Sequence, residues 1–502
     1  MGHFNFLSFF FLLTTSFCKV AAQSTLFERG TVITFNEEQQ DFEVLRETSV
    51  LVTGDTITAI FPSSGNASVN IPAGVTRIAA DNAILSPGFI DTHRHGWQTA
   101  YRTMASNTTL SDYAIRIGPT SSIPAAFTDE DFYLGELIGL WEGLDAGVTG
   151  VLDYSHGFRS PAASSALLDA YLESGARIWF CYGFSDANGS FPLTQRIADY
   201  RAKAQDPRLA DSSVVMGAAF DSWAAGAEAI APLLDFLRND NISVLSTHYV
   251  DGVWGFRNSP SLLRQFGLIN ETFPIIFAHA SLIPTAEYEI LRQFNHYISI
   301  DPESESHYGH TNDESDYTMD QGALGVDTHA TYSGDIVTQA RLWLQQVRAR
   351  SFRKLLLDWR VPSTNPMSVK QAFHLATRSG AQALRRTDLG VIRVGAKADI
   401  VVFDGTRMSL LGFRDPIAAI ILHSNPGDVR DVMVNGRFVK RDGRLLAPNL
   451  ANVSAAFART APRIQDVIEA APLSPVEGTW SSGYPYGQPR RVDAVRGNGT
   501  GY

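Results

Sequence analysis

The stretch SPGFIDTHRHGWQTAYR, residues 86–102, sets two histidines and an arginine directly behind an apolar run that reads as a buried strand. Side chains two apart on a strand share a face, so His93 and His95 aim at one spot while Arg94 turns away. Titratable groups at the tip of a hydrophobic segment need a compensating partner, and paired imidazoles suit a metal ion. An H-x-H pair alone is a weak signal, so the rest of the chain must supply the other ligands.

Similar apolar runs recur at 147–156, 176–184, 213–221, 242–250, 274–281, 296–303 and 323–330. Stretches such as DEDFYLGELIGLWEGLDAG and AGAEAIAPLLDFLRND separate several of them and repeat apolar residues at helical spacing. Strands alternating with amphipathic helices predict βα units around a parallel sheet, and eight of them predict a (β/α)8 barrel of the TIM type. Between the seventh and eighth runs, SHYGHTNDESDYTMDQ carries no helical pattern and reads as a polar loop.

The flanks differ. Residues 31–62 alternate apolar and polar around a Gly54-Asp55 turn, and residues 389–405 and 429–446, with an Asn435-Gly436 hairpin signal, resume the same pattern. The expected organisation is a first β-rich part at 23–86, the barrel at 87–386, a second β-rich part at 387–446, and a helix with an extended Gly/Pro/Ser-rich tail at 447–502.

In a parallel barrel, chemistry sits at the C-terminal strand ends, which open on one face. His93 and His95 end strand one, His248 strand five, His279 strand six and Asp327 strand eight. Singly, each has an ordinary structural explanation: a satisfied core histidine or a loop-capping aspartate. Four strand ends converging on one face are hard to reconcile with independent structural roles. Neutral imidazoles and a carboxylate suit one divalent cation, zinc with Fe2+ as the alternative, with an open position for water. His156 and His329, ending strands two and eight, are candidate substrate contacts. Trp97, Gln98 and Arg102 are candidates for the entrance, and Phe184, Phe220 and Trp223 either line it or pack the barrel mouth. His307 and His310 fall in the polar loop and are weaker candidates, as readily solvated as functional, and Ser333 reads as a helix N-cap rather than a nucleophile.

The combination PGFIDTHRH, His248, His279, LGVDTHATYSGD and ATRSGAQAL with DLGVIRVGAKADIVVFD resembles the amidohydrolase superfamily, closest to its cytosine deaminase, adenosylhomocysteine deaminase and atrazine chlorohydrolase-like branch. The resemblance implies a composite β-sandwich, built from residues before 87 and after about 387, flanking the metal barrel. It implies His93, His95, His248 and Asp327 as ligands of one metal, with His279 bonding the attacking water or the substrate. Strand four ends GAAFDSW, without the lysine that bridges two metals in binuclear members, so one ion is expected. Deaminases of this branch place a proton-shuttling glutamate three residues after the strand-five histidine; here that position is Asp251, one methylene shorter. The implied activity is hydrolysis of a C–N bond in a small organic molecule, by a deaminase or cyclic amide hydrolase, with Asp327 taking the proton of the water and Asp251 and His279 serving the leaving group. Lactone or ester hydrolysis, dehalogenation or a lyase step on a natural product would use the same site, and a silent binding protein would lack ligands that this chain has.

A net charge of −11 and the lack of a basic run argue against nucleic acid or an anionic membrane as partner, leaving a small-molecule substrate and a homo-oligomer. Residues 1–22, apolar from Phe6 to Phe17 and ending Val20-Ala21-Ala22, read as a cleaved signal peptide, so the mature chain is expected outside the cell without a membrane segment. Sequons at Asn66, Asn107, Asn188, Asn241, Asn270, Asn452 and Asn498 fit a glycoprotein on that route. Cleavage removes Cys18 and leaves Cys181 alone, which excludes an intrachain disulfide in the mature chain.

Overall fold

The computed structural model describes residues 23–64, 69–185, 191–270, 272–471 and 475–490. The expected signal peptide and the sequons at Asn66, Asn188 and Asn498 lie outside the described residues. Among the described residues no helix is long and apolar enough to cross a membrane.

Eight parallel strands form the barrel: β1 Phe89–Arg94, β2 Val148–Ser155, β3 Arg177–Gly183, β4 Val214–Ala219, β5 Leu245–Val250, β6 Ile275–Ser281, β7 Tyr297–Ile300 and β8 Gly322–Leu324. Each falls on one of the apolar runs read from the sequence. β2, β3 and β6 are buried along their whole length, as expected where side chains fill the barrel on one face and helices cover the other. The ring closes beyond the end of β8: the Val326 and Asp327 N–H groups donate to the His93 carbonyl at 3.0 and 2.8 Å, and the His95 N–H donates to the Asp327 carbonyl at 3.2 Å. Closure itself therefore brings Asp327 against His93 and His95.

N- and C-terminal segments share one nine-stranded mixed sheet. Its junction pairs Ala83–Pro87 antiparallel with Ile400–Asp404, residues more than 300 positions apart in sequence. The Asn435-Gly436 turn has φ of 51° and 76°, the left-handed pair that a two-residue hairpin requires. A Cβ on Gly436 would lie 1.9 Å from the Gly54 carbonyl oxygen, so the two turns recognised in the sequence abut, and only glycine fits. Arg177 at the start of β3 donates to both carboxylate oxygens of Asp399, at 2.8 and 3.0 Å, and this buried pair ties the sheet to the barrel.

Two expectations change. The β7–β8 connection contains a helix, Pro302–Tyr308, opened by a proline at its first position. It lacks an apolar stripe because its polar side chains Ser304 and Glu305 are buried against the candidate site rather than against hydrocarbon. The following helix, Ile336–Leu357, is capped by Asp335, which accepts from the Thr338 N–H at 2.7 Å; Ser333 instead bonds Glu303. At the other end, helix Leu450–Ala470 packs Ile464 and Ile468 inward. Of the tail, residues 475–490 run without regular structure and set Trp480 against the loop after β5, its indole N–H donating to the Trp254 carbonyl at 2.8 Å.

Candidate metal centre and cavity

His93, His95, His248 and Asp327 each bring one ligand atom to a common centre, all within 4.8 Å of one another. The Nε2 atoms of His95 and His248 are 3.2 Å apart, and Asp327 Oδ1 lies 3.1 Å from His95 Nε2 and 3.5 Å from His93 Nε2. His95 Nδ1 donates to the Tyr154 carbonyl at 2.7 Å, and His248 Nδ1 donates to Asp221 at 2.9 Å. A carbonyl and a carboxylate can only accept, so each partner fixes the tautomer that leaves an Nε2 lone pair pointing at the centre. Lone pairs facing each other beside a carboxylate oxygen repel unless a cation lies between them. His93 is fully buried and neither ring nitrogen has a hydrogen-bond partner, a cost that metal ligation removes. The donor set fits one borderline divalent ion.

Burial alone would raise the Asp327 carboxyl, but the adjacent His93, His95 and His279 rings hold it well below the usual carboxylate range. Burial pushes the His93 imidazole well below its usual value, as it does His156 and His310. His279 goes the other way: burial opposes its charge, yet Asp301, Glu305 and Asp327 together raise it well above the usual range. Its Nδ1 lies 2.9 Å from Asp301 and 3.7 Å from Glu305. His279 and Asp327 both adopt left-handed backbone, φ 68° and 64°, a conformation costing about 1–3 kcal/mol that non-glycine residues keep where function demands a direction.

Above this centre opens a cavity of about 340 Å3, with His95, His248, His279 and Asp327 in its lining and Tyr113, Tyr154, Phe158, Phe256 and Tyr308 among its aromatic residues. Its size falls in the range of small-molecule sites.

The amidohydrolase family model matches residues 274–439, from β6 to the last strands of the flanking sheet. The matched third of the chain includes His279 and Asp327. The chain is 24% identical over 420 residues to a 5-methylthioadenosine/S-adenosylhomocysteine deaminase of Pyrococcus horikoshii, covering 79% of this chain and 91% of that one. It is 24% identical over 391 residues to a 5′-deoxyadenosine deaminase of Methanosarcina barkeri, covering 74% and 84%. The fold is similar to that of a Xanthomonas campestris adenosine deaminase with bound zinc, at TM-score 0.72, 19% identity and coverage of 89% and 99%. It is also similar to an Arthrobacter aurescens atrazine chlorohydrolase complexed with zinc, at TM-score 0.70, 19% identity and coverage of 87% and 100%.

Several residues singled out in the sequence sit elsewhere than expected. Asp251 is absent from the cavity lining; it accepts from the Tyr249 hydroxyl at 3.0 Å and from the Gly252 N–H at 2.7 Å, with Arg257 at 3.5 Å. Strand alternation explains this: Tyr249 and Asp251 share the face opposite His248. Trp97 is fully buried behind the cavity, edge-on to Tyr101 and Phe127. Gln98 is buried and bonded to the Tyr113 hydroxyl at 2.8 Å, Arg102 lies at the surface with Glu142, and His329 is buried against Thr99. Of the five candidate substrate contacts, only His156 lines the cavity. Phe184, Phe220 and Trp223 pack inside the barrel wall, Trp223 donating to Thr247.

His310, which the sequence leaves open between solvent and site, is buried in the cavity wall; its Nδ1 is 3.0 Å from Ser281 Oγ and its ring stands edge-on to His279. His307 lies outside the cavity lining, bonded to the Ala105 carbonyl. Asp221, Asp301, Ser304 and Glu305 orient the centre without having been singled out. Asp221 lies two residues beyond β4, at the end of the apolar run 213–221, and could have been found by the strand-end rule. Ser304, which donates to Asp327 Oδ2 at 2.5 Å, had no such signal, because its helix carries none of the usual periodicity.

Proposed function

We propose that this protein hydrolyses a C–N bond in a small, flat organic molecule. The observation that carries the proposal is the cluster of three imidazoles and one carboxylate at the base of an aromatic-lined cavity. One divalent cation, zinc by its donor set with Fe2+ as the alternative, would be held by His93, His95, His248 and Asp327 and would supply Lewis acidity and a water of pKa lowered toward about 7.

The chain's own groups do the rest. Ser304 anchors Asp327 Oδ2, so Oδ1 faces the centre and takes the proton of the attacking water. His279, charged through Asp301 and Glu305, donates to the oxygen or nitrogen on which charge develops. His156 presents a neutral donor to the substrate. Its Nδ1 accepts from the Trp97 indole N–H at 3.1 Å, and an indole can only donate, so the proton of the neutral ring sits on Nε2. The names of the relatives favour an adenosine-like amine. The outward turn of Asp251 favours a second reading, a cyclic amide or lactone whose leaving group needs no shuttling glutamate.

The test is a panel of 5′-deoxyadenosine, cyclic amides and lactones, assayed for ammonia and acid release with zinc-loaded protein. Ammonia from the nucleoside supports the first reading, and acid release without ammonia supports the second. No turnover of any member, by protein that holds one metal per chain, would count against both.

We also propose that the chain follows the secretory route, supported by the sequence of residues 1–22 and the sequons. N-terminal sequencing of the mature protein should read from Gln23; retention of Met1 would rule the route out.

A further inference from the structure

Helix Ile336–Leu357 ends in a turn that folding does not explain. Asp358 caps it, Trp359 follows at φ 52°, the Arg360 N–H donates to the Leu355 carbonyl at 3.0 Å and the Trp359 N–H to the Leu356 carbonyl at 3.1 Å. This is the hydrogen-bond pattern in which the left-handed residue is usually glycine, because a Cβ is disfavoured there. Here the position holds the bulkiest side chain, and that side chain is 98% exposed. Leu356, Leu357 and Val361 beside it are 59%, 67% and 89% exposed. Exposed hydrocarbon and a strained backbone both work against stability, so selection for folding accounts for neither.

The surroundings point to what the turn meets. Arg353, Lys354 and Arg360 are exposed, and none forms an ion pair among the described residues; the one acid in the turn is Asp358. The helix starts just after Gly334, whose carbonyl accepts from Arg94 on the cavity side of the barrel, and its 22 residues carry the turn about 33 Å further along its axis. Four apolar side chains on one convex turn fall short of the roughly 800 Å2 per partner that a stable protein interface buries. A lipid interface asks for much less: a few leucines and a tryptophan at headgroup depth, with cations to hold acidic headgroups.

We propose that this turn docks the protein on an anionic lipid surface, with Trp359, Leu356, Leu357 and Val361 entering the headgroup layer and Arg353, Lys354 and Arg360 on its phosphates and carboxylates. The chain-wide net charge of −11 argues against such a partner only as an average. Locally the turn is cationic, and repulsion elsewhere confines contact to this tip, on the side away from the cavity. The docking is independent of which bond the enzyme breaks.

The experiment sediments the purified full chain with vesicles of phosphatidylserine and phosphatidylcholine, and with phosphatidylcholine alone. Binding is expected to the anionic vesicles at low salt, weakened about tenfold or more by high salt, by Trp359→Gly, or by the Arg353→Glu/Lys354→Glu pair. Trp359→Gly should leave the thermal midpoint unchanged or raise it, since glycine relieves the left-handed turn. Absence of binding to anionic vesicles, or equal binding by Trp359→Gly, overturns the proposal. So does a concentration-dependent self-association that Trp359→Gly abolishes, which would assign the turn to a second copy of the chain.

Discussion

The Trp97 indole N–H donates to His156 Nδ1 at 3.1 Å, and His156 in turn stacks on His95 with ring centroids 4.0 Å apart. A residue wholly outside the cavity thereby sets which nitrogen of a cavity histidine carries a proton. Trp97→Phe keeps the aromatic packing and removes the donor. We expect kcat/KM to fall about 5–30-fold, the size of one lost hydrogen bond of about 1–2 kcal/mol, with metal content unchanged. Unaltered kcat/KM would dismiss a role for the tautomer.

Asp251→Asn should leave activity within about twofold of the parent, because its carboxylate faces Tyr249, Gly252 and Arg257 instead of the cavity. Steady-state kinetics decide this. A loss of several hundredfold would restore the shuttle role that the sequence position suggests.

Asp221 fixes the His248 ring through Nδ1 and also accepts from the His248 backbone N–H at 2.8 Å. Asp221→Asn should weaken metal binding by about 10–100-fold while the barrel stays folded. Competition with a chromogenic chelator measures the first, and circular dichroism the second.

Asp327→Asn should abolish turnover and lower metal affinity, since it replaces the one anionic ligand and the proton acceptor together. A protein that only binds its ligand would be indifferent to this change. Metal analysis of the purified variant alongside a turnover assay separates the two effects.

His296 lies between helix Thr285–Phe294 and β7, its Nδ1 accepting from the Ile275 N–H at 3.1 Å, and burial pushes it down to about 3. In the unfolded chain it titrates near 6.5, so on acidification the unfolded state takes up the proton first. Stability is therefore full above pH of about 6.5 and falls as pH drops toward 3, by about 3 kcal/mol at pH 4. Thermal midpoints of the parent should fall across this window more steeply than those of His296→Asn, which keeps an acceptor but cannot be protonated. Parallel slopes would place the acid sensitivity elsewhere.

Local pattern carried much of this architecture. Each of the eight apolar runs is a barrel strand, because a parallel strand is buried on both faces and its sequence has to say so. The cluster of His93, His95, His248 and Asp327 was legible from one rule, that strand ends in a barrel share a face. The Asn435-Gly436 turn was readable for a similar reason: left-handed backbone leaves a compositional mark.

Side-chain direction was set by packing between distant segments. Asp251 stands three residues from a ligand in sequence but on the other face of β5. Trp97 and Arg102 follow the H-x-H pair closely, yet one turns into the core and the other to the surface. Ser304, Glu305 and His310 come from a segment that looks like solvated loop, since a helix whose polar side chains are buried against charged groups has no hydrophobic period to display. Sequence fixes which residues reach the barrel rim through short-range periodicity; which of them look inward depends on packing between segments hundreds of residues apart.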